Sequence, residues 1–208
     1  MDQEKYKKLC HEIDTELAEI VQEFTDSRNI LRNDRRFVKT RLLLAFSFLE
    51  VICNLYNAFY DLKLTNAPLL KKWFKEFCLL DQNITYKKHP YIKMISENHL
   101  YNFRNSIIHA FSLPEPENGI SIICPNGSEI SDIIEKMDIG FRAHGHQVAF
   151  VSADSLMQLF ISGFTLMHPK IFKDVSRATE SDFEGLERIV KEFNRRGAKA
   201  IPLNGNPL

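Results

Sequence analysis

The stretch Leu42-Leu-Leu-Ala-Phe-Ser-Phe-Leu-Glu50-Val-Ile-Cys-Asn-Leu-Tyr-Asn-Ala-Phe-Tyr60 decides the fold. Leu42, Leu44, Ala45, Phe46, Phe48, Leu49, Ile52, Leu55, Tyr56 and Phe59 leave few positions for water on any side. A helix on the surface of a domain keeps a polar half, and one that is apolar nearly all round is a central, buried one. The pattern predicts a long helix over about 37–62 with other helices gathered around it. Ser47, Glu50, Asn54 and Asn57 interrupt the run, so it falls short of the 18 or so nearly uninterrupted apolar residues expected of a bilayer span.

The flanking sequence supplies the partners. Leu9, Ile13, Leu17, Ile20, Val21 and Phe24 recur at steps of three and four, which predicts an amphipathic helix over about 2–25. A charged connector over 26–36 follows it. A third helix is expected over about 67–80, with Pro68 in its first turn. A fourth starts at Tyr91 or Ser96 and runs to Leu113, where Pro114 stops it. Residues 114–151 change character: short extended runs at 119–124 and 147–151, the turn signal Pro125-Asn126-Gly127, and a short helix over about 129–137. They read as a small β-hairpin-like insertion. Helical signals return at Ser152, expected as the N-cap of a helix ending before Pro169. The last helix opens with a capping box, Ser181-Asp-Phe-Glu184, and ends at Gly197. The expectation is a mainly α helical bundle in one domain, 1–197, carrying the 114–151 insertion and followed by a loose tail, 198–208, with no internal repeat.

Composition narrows the function classes. The 208 residues are 44% hydrophobic and 26% charged, with 16 Phe, 6 Tyr and 1 Trp for a core, ordinary values that exclude a disordered or collagen-like chain. Lys and Arg total 27 and Asp and Glu total 27, so no global positive field exists to hold a long duplex and any polyanion site must be local. The four cysteines, at 10, 53, 78 and 124, show no metal-finger spacing and suit a reducing compartment. The first residues are mixed in charge and do not resemble a signal peptide. A cytoplasmic protein with no membrane partner is expected.

One constellation carries chemistry: Tyr101-Asn-Phe-Arg104-Asn105-Ser-Ile-Ile-His109-Ala-Phe111. On a helix, Asn105 and His109 lie about 40° apart on one face, with Arg104 on its flank. Extending the steps gives a polar stripe of Asn98, Asn102, Asn105, His109 and Ser112, opposite an apolar stripe of Leu100, Phe103, Ile107 and Phe111. The polar stripe lacks the Lys and Glu of a solvated face. Neutral hydrogen-bonding residues suit a helix face that meets a ligand or another protein surface, and pairing with a second copy across a two-fold axis is a natural solution. Two Arg104 and two His109 would then share one cleft. Cleaving RNA without a metal needs a base for the 2′-hydroxyl, an acid for the 5′-oxygen and positive charge on the phosphate. Imidazole exchanges protons near neutrality, and guanidinium matches phosphate oxygens.

Arg104-Asn105-x-x-x-His109 resembles the signature of the HEPN superfamily (higher eukaryote and prokaryote nucleotide-binding). The lone acid of the long apolar helix, Glu50, resembles its members too. The resemblance implies a helical bundle, a homodimer with both motifs at the interface and, in many members, metal-independent endoribonuclease activity used by toxins or in defence, sometimes restrained by an antitoxin or regulatory protein. It makes Arg104, Asn105 and His109 the catalytic candidates and requires no cofactor or metal. Chance gives an Arg-Asn pair with a His at this spacing about 0.025 times in a chain of this composition. Arg28-Asn29 and Arg32-Asn33 have no His within six residues. The alternative is a non-catalytic HEPN-like module that binds a nucleotide or partner protein through the same face.

Weaker signals surround this one. Residues 28–41 hold Arg28, Arg32, Arg35, Arg36, Lys39 and Arg41 against Asp34 alone, while 112–138 are acidic. Arg32, Arg35 and Arg36 are candidate RNA contacts, with Asn102 and Ser112 candidate cleft neighbours. Lys87-Lys88-His89 is a smaller basic cluster. His144-Gly145-His146 lacks the further ligands of a metal site. The absence of a Gly-rich phosphate loop or a nucleophile elbow disfavours kinase, dinucleotide and hydrolase-elbow chemistry.

Overall fold

A computed structural model of the chain describes residues 2–32, 37–88, 92–110, 120–123, 147–150 and 153–195. The fold is mainly α. Helix α1 spans Gln3–Arg32, α2 Val38–Phe59, α3 Asn66–Trp73, α4 Ile84–Lys88, α5 Glu97–Asn105, α6 Ala153–Ile171 and α7 Glu180–Arg195. Both α3 and α5 continue into one wider turn, Phe74–Cys78 and Ser106–Ala110, closed by i→i+5 hydrogen bonds.

α2 is the axis of the bundle, in contact with α1, α3, α6, α7 and the wide turn after α5. Leu42, Phe46, Leu49, Ile52 and Leu55 are buried on it, as its sequence requires. Its Phe46 meets Phe103 of α5 at 5.9 Å and Phe160 of α6 at 5.5 Å between ring centroids, inside the preferred range for aromatic pairs. Tyr6, Leu9, Ile13, Leu17 and Phe24 bury the stripe of α1, and Asp2 caps it by accepting from the Glu4 and Lys5 amides. Gly185 lets α7 lie against Phe59: a Cβ there would stand 2.7 Å from the ring and 2.9 Å from the Phe59 carbonyl.

Several expectations need correction. α1 runs on to Arg32, so the connector is helical as far as it is described; Arg and Leu are good helix formers, and Arg28 Nε is held by Asp154 at 3.1 Å. α6 passes through Pro169 to Ile171; the proline gives up its own amide bond, and the ladder resumes beyond it, where the Phe172 amide donates to the His168 carbonyl at 2.9 Å. α7 starts earlier than expected, with its box at Thr179 and Asp182. The Asp182 carboxylate accepts from the Thr179 amide at 2.9 Å, and the Thr179 hydroxyl accepts from the Asp182 amide at 3.3 Å. By length and mean hydropathy, Lys39–Phe59 does reach what a membrane-crossing helix needs, and 56% of that window is buried inside the bundle.

The insertion is not a hairpin. β1 (Ile120–Ile123) and β2 (Gln147–Phe150) pair in parallel, with Ile120 opposite Gln147 and Ile123 opposite Phe150. Parallel strands cannot be joined by a tight turn and need a crossover of a dozen or more residues. The turn at 125–127 and the short helix over 129–137 lie outside the described residues, as do Ser152, Gly197 and the tail 198–208.

Candidate active site

α5 is set by its first turn. The Ser96 hydroxyl accepts from the His99 amide at 3.3 Å, and His99 Nδ1 accepts from the Ser96 amide at 3.0 Å. This is a capping box with an imidazole in place of the usual carboxylate. With the start fixed, Leu100, Phe103 and Ile107 are fully buried. Asn98, Asn102 and His109 are exposed on the other side, and Asn105 is half-buried. Ser112 and Phe111 lie outside the described residues.

Arg104 and His109 are five positions apart, which on a regular α-helix puts them about 140° from each other. The wide turn at Ser106–Ala110 changes that relation, because a turn closed by i→i+5 bonds swings a residue back over the one five before it. Arg104 Nη1 lies 3.4 Å from His109 Nε2 and donates to Asn105 Oδ1 at 2.9 Å. The sequence names all three residues; the turn that gathers them has no signature in composition or periodicity.

The rest of the guanidinium is engaged from α2. Nε donates to Glu50 Oε1 at 2.8 Å, and Nη2 contacts the same oxygen. Arg104 is 7% exposed, and a charge that far from water needs such a partner. Glu50 was legible only as the single acid of an apolar helix; its location against Arg104 is a matter of tertiary packing.

The arrangement constrains proton positions. Guanidinium has donors only, so the 3.4 Å contact is a hydrogen bond only when His109 Nε2 offers its lone pair. The site thus holds an exposed imidazole, a cation fixed by Glu50, and an amide whose oxygen is already committed to that cation. Among the described residues no three His, Cys, Asp or Glu side chains are grouped to hold a metal ion, and His144 and His146 lie outside that set.

Arg35 and Arg36 lie outside the described residues, and Arg32 is described only by its backbone at the end of α1. Their neighbours Arg28 and Arg41 turn inward to Asp154, at 3.1 and 3.6 Å. Lys87 and Lys88 are exposed on α4. Elsewhere, a cavity of about 450 Å³ is lined by Tyr6, Cys10, His11, Asp14 and Phe172, among others. Burial pushes the Cys10 thiol up, away from the thiolate a nucleophile needs. Comparison of the chain with protein-family models, with curated proteins and with solved structures finds no match.

Proposed function

We propose that this protein is a HEPN-like, metal-independent endoribonuclease, acting in the cytoplasm as a homodimer of the kind used by toxins or in defence. The observation that carries the reading is the cluster itself. An exposed imidazole in contact with a buried guanidinium sets a proton-exchanging group beside a cation, the pair that transesterification of RNA calls for. His109 takes the 2′-hydroxyl proton as that oxygen attacks phosphorus. The P–O5′ bond breaks, Arg104 stabilises the charge on the pentacoordinate phosphate, and the leaving oxygen takes a proton from the partner subunit's His109, which enters the step as imidazolium and leaves it neutral while the first His109 becomes charged. The products are a 2′,3′-cyclic phosphate and a free 5′-hydroxyl.

Dimerisation is supported by the outer faces of the two helices that meet here. On α2, Leu43, Ser47, Glu50 and Asn54 reach the surface; on α5, Asn98, Asn102, Asn105 and His109 do so. Glu50 is the only acid in this set and is paired with Arg104, leaving a face of neutral groups suited to a second copy. In purified protein, RNA cleavage is expected to persist in excess EDTA and to be lost in His109→Ala with the fold intact. Cleavage that stops on chelation overturns the reading. The engagement of Arg104 by Glu50 within one chain also favours a second reading, a non-catalytic module that uses this face to bind a nucleotide or a regulatory partner. Bacterial expression separates them: growth arrest by wild type that His109→Ala relieves belongs to the ribonuclease alone.

A further inference from the structure

We infer that Tyr101 and Lys71 form a single-stranded RNA subsite beside the Arg104–His109 pair. The ammonium, which lies over the ring, swings to the phosphate of the neighbouring nucleotide, and the ring face it uncovers stacks the base. The inference rests on the ribonuclease reading and deepens it.

The charge balance of the site motivates it. Glu50 offsets Arg104, so the pair offers little net attraction to a polyanion, and each further phosphate brought near it needs a cation of its own. Lys71, in the last turn of α3, supplies one close by. Its Nζ stands 5.1 Å from the centroid of the Tyr101 ring, and among the described residues it has no carboxylate partner, unlike Lys72, which is bound to Glu76. Leu69, Leu70 and Trp73 are buried on either side of it, so α3 is anchored while Lys71 faces α5.

Tyr101 is placed for a base. It lies four residues before Asn105, one turn away on the same face and roughly 6 Å along the axis. It is half-buried, its inner edge packed on the core, which fixes the ring at little entropic cost. An aromatic face beside a cation is the pairing by which proteins hold unstacked nucleotides without strict sequence preference. A base already stacked in a duplex cannot use such a ring, which commits the subsite to single strands.

The test measures binding of a fluorescein-labelled single-stranded octaribonucleotide by anisotropy in the His109→Ala protein, so that affinity is read apart from cleavage. Tyr101→Leu is expected to raise Kd roughly ten-fold, while Tyr101→Phe, which keeps the ring, stays within about two-fold. Lys71→Met is expected to raise Kd several-fold and to flatten the slope of log Kd against log salt by about 0.7, the loss of one phosphate contact on a single strand. The same sequence as a duplex should bind without regard to Tyr101. Unchanged affinity in both Tyr101→Leu and Lys71→Met, with helical circular dichroism preserved, overturns the subsite. So does an equal loss in Tyr101→Phe and Tyr101→Leu, which would trace the effect to the hydroxyl. A wild-type protein that shows the Tyr101 dependence but cuts no RNA supports the subsite and removes the ribonuclease reading; one that binds no RNA removes both.

Discussion

Arg104 is the residue on which most of the chemistry converges, because each edge of its guanidinium has a separate task. One edge is spent on Glu50, and the remaining nitrogen reaches Asn105 and His109. A lysine cannot reproduce this, since a compact ammonium has no rigid fork to hold a carboxylate and an imidazole in fixed relation. Arg104→Lys is therefore expected to fold and to lose roughly 10²–10³-fold in kcat, the scale on which a preorganised donor to developing negative charge is felt. Glu50→Gln attacks the same geometry from the other side. The amide oxygen still accepts from the guanidinium but no longer neutralises it, leaving a charge that is 7% exposed without its counter-ion. An unfolding free energy lower by about 1–2 kcal/mol is expected, together with a fall in cleavage. Denaturant titration beside single-turnover kinetics on both variants reads the two effects; Glu50→Gln with wild-type stability and rate would show that the pair orients nothing.

At the scale of the element, the wide turn after α5 is what converts a spacing into a site. Deleting Ser106 would restore a regular α-helical path and leave His109 four positions after Arg104, about 40° from it and on the same face. Such a chain is expected to keep its helical circular dichroism and to go on cutting RNA, the shorter spacing doing on a regular helix what the longer one does with the turn; complete loss of cleavage with the fold intact would mean that the pair's placement depends on more than this register. The helix stripes were legible because burial imposes their period on the sequence, as Leu9, Ile13 and Leu17 show on α1. The i→i+5 register of Ser106–Ala110 was not, since it records a choice among backbone hydrogen bonds that the same side chains would also permit. The start of α7 shows the same limit. Ser181 and Glu184 have the right spacing for a box, yet Thr179 and Asp182 make it, because only Asp182 also reaches Lys173, at 2.7 Å. Burial works against the Asp182 charge, but the hydrogen bonds from Lys173 and Thr179 outweigh it and hold the carboxyl below its ordinary 3.8. A depressed acid stabilises the fold above its unfolded value and loses that contribution as pH falls through the folded one. Asp182→Asn should therefore cost about 1–2 kcal/mol at pH 7. The gap to wild type should hold down to about pH 5 and close progressively below pH 4, as urea titrations across that range would show.

For the whole molecule the question is what covers the face that α2 and α5 present together. A monomeric domain of this composition, 26% charged, normally spends its Lys and Glu on exposed helix faces, as α1 does with Lys7, Lys8, Glu12 and Glu16, none of them buried. The α2–α5 face breaks that habit with Ser47, Asn54, Asn98, Asn102 and His109, and Leu43 is 36% exposed at its edge. Residues that hydrogen-bond without charge lose little on leaving water if a partner presents matching groups, and a two-fold axis supplies such a match automatically, because each amide meets its own copy or a neighbour's. An introduced charge would meet itself across the axis, and like charges brought together out of water are costly. Asn102→Lys places one in each subunit on the exposed side of α5 without touching Leu100, Phe103 or Ile107. Sedimentation equilibrium is expected to give a dimer for the wild type at tens of micromolar and a monomer for Asn102→Lys, with thermal unfolding of the separated chains unchanged apart from the loss of concentration dependence. In the proposed mechanism the leaving group's proton comes from the second subunit, so cleavage should fall with the dimer: wild-type specific activity is expected to decline on dilution through the dissociation constant and the variant to be inactive throughout. A wild type that stays monomeric over this range while still cutting RNA would confine the reaction to one chain and make His109 both base and acid in turn.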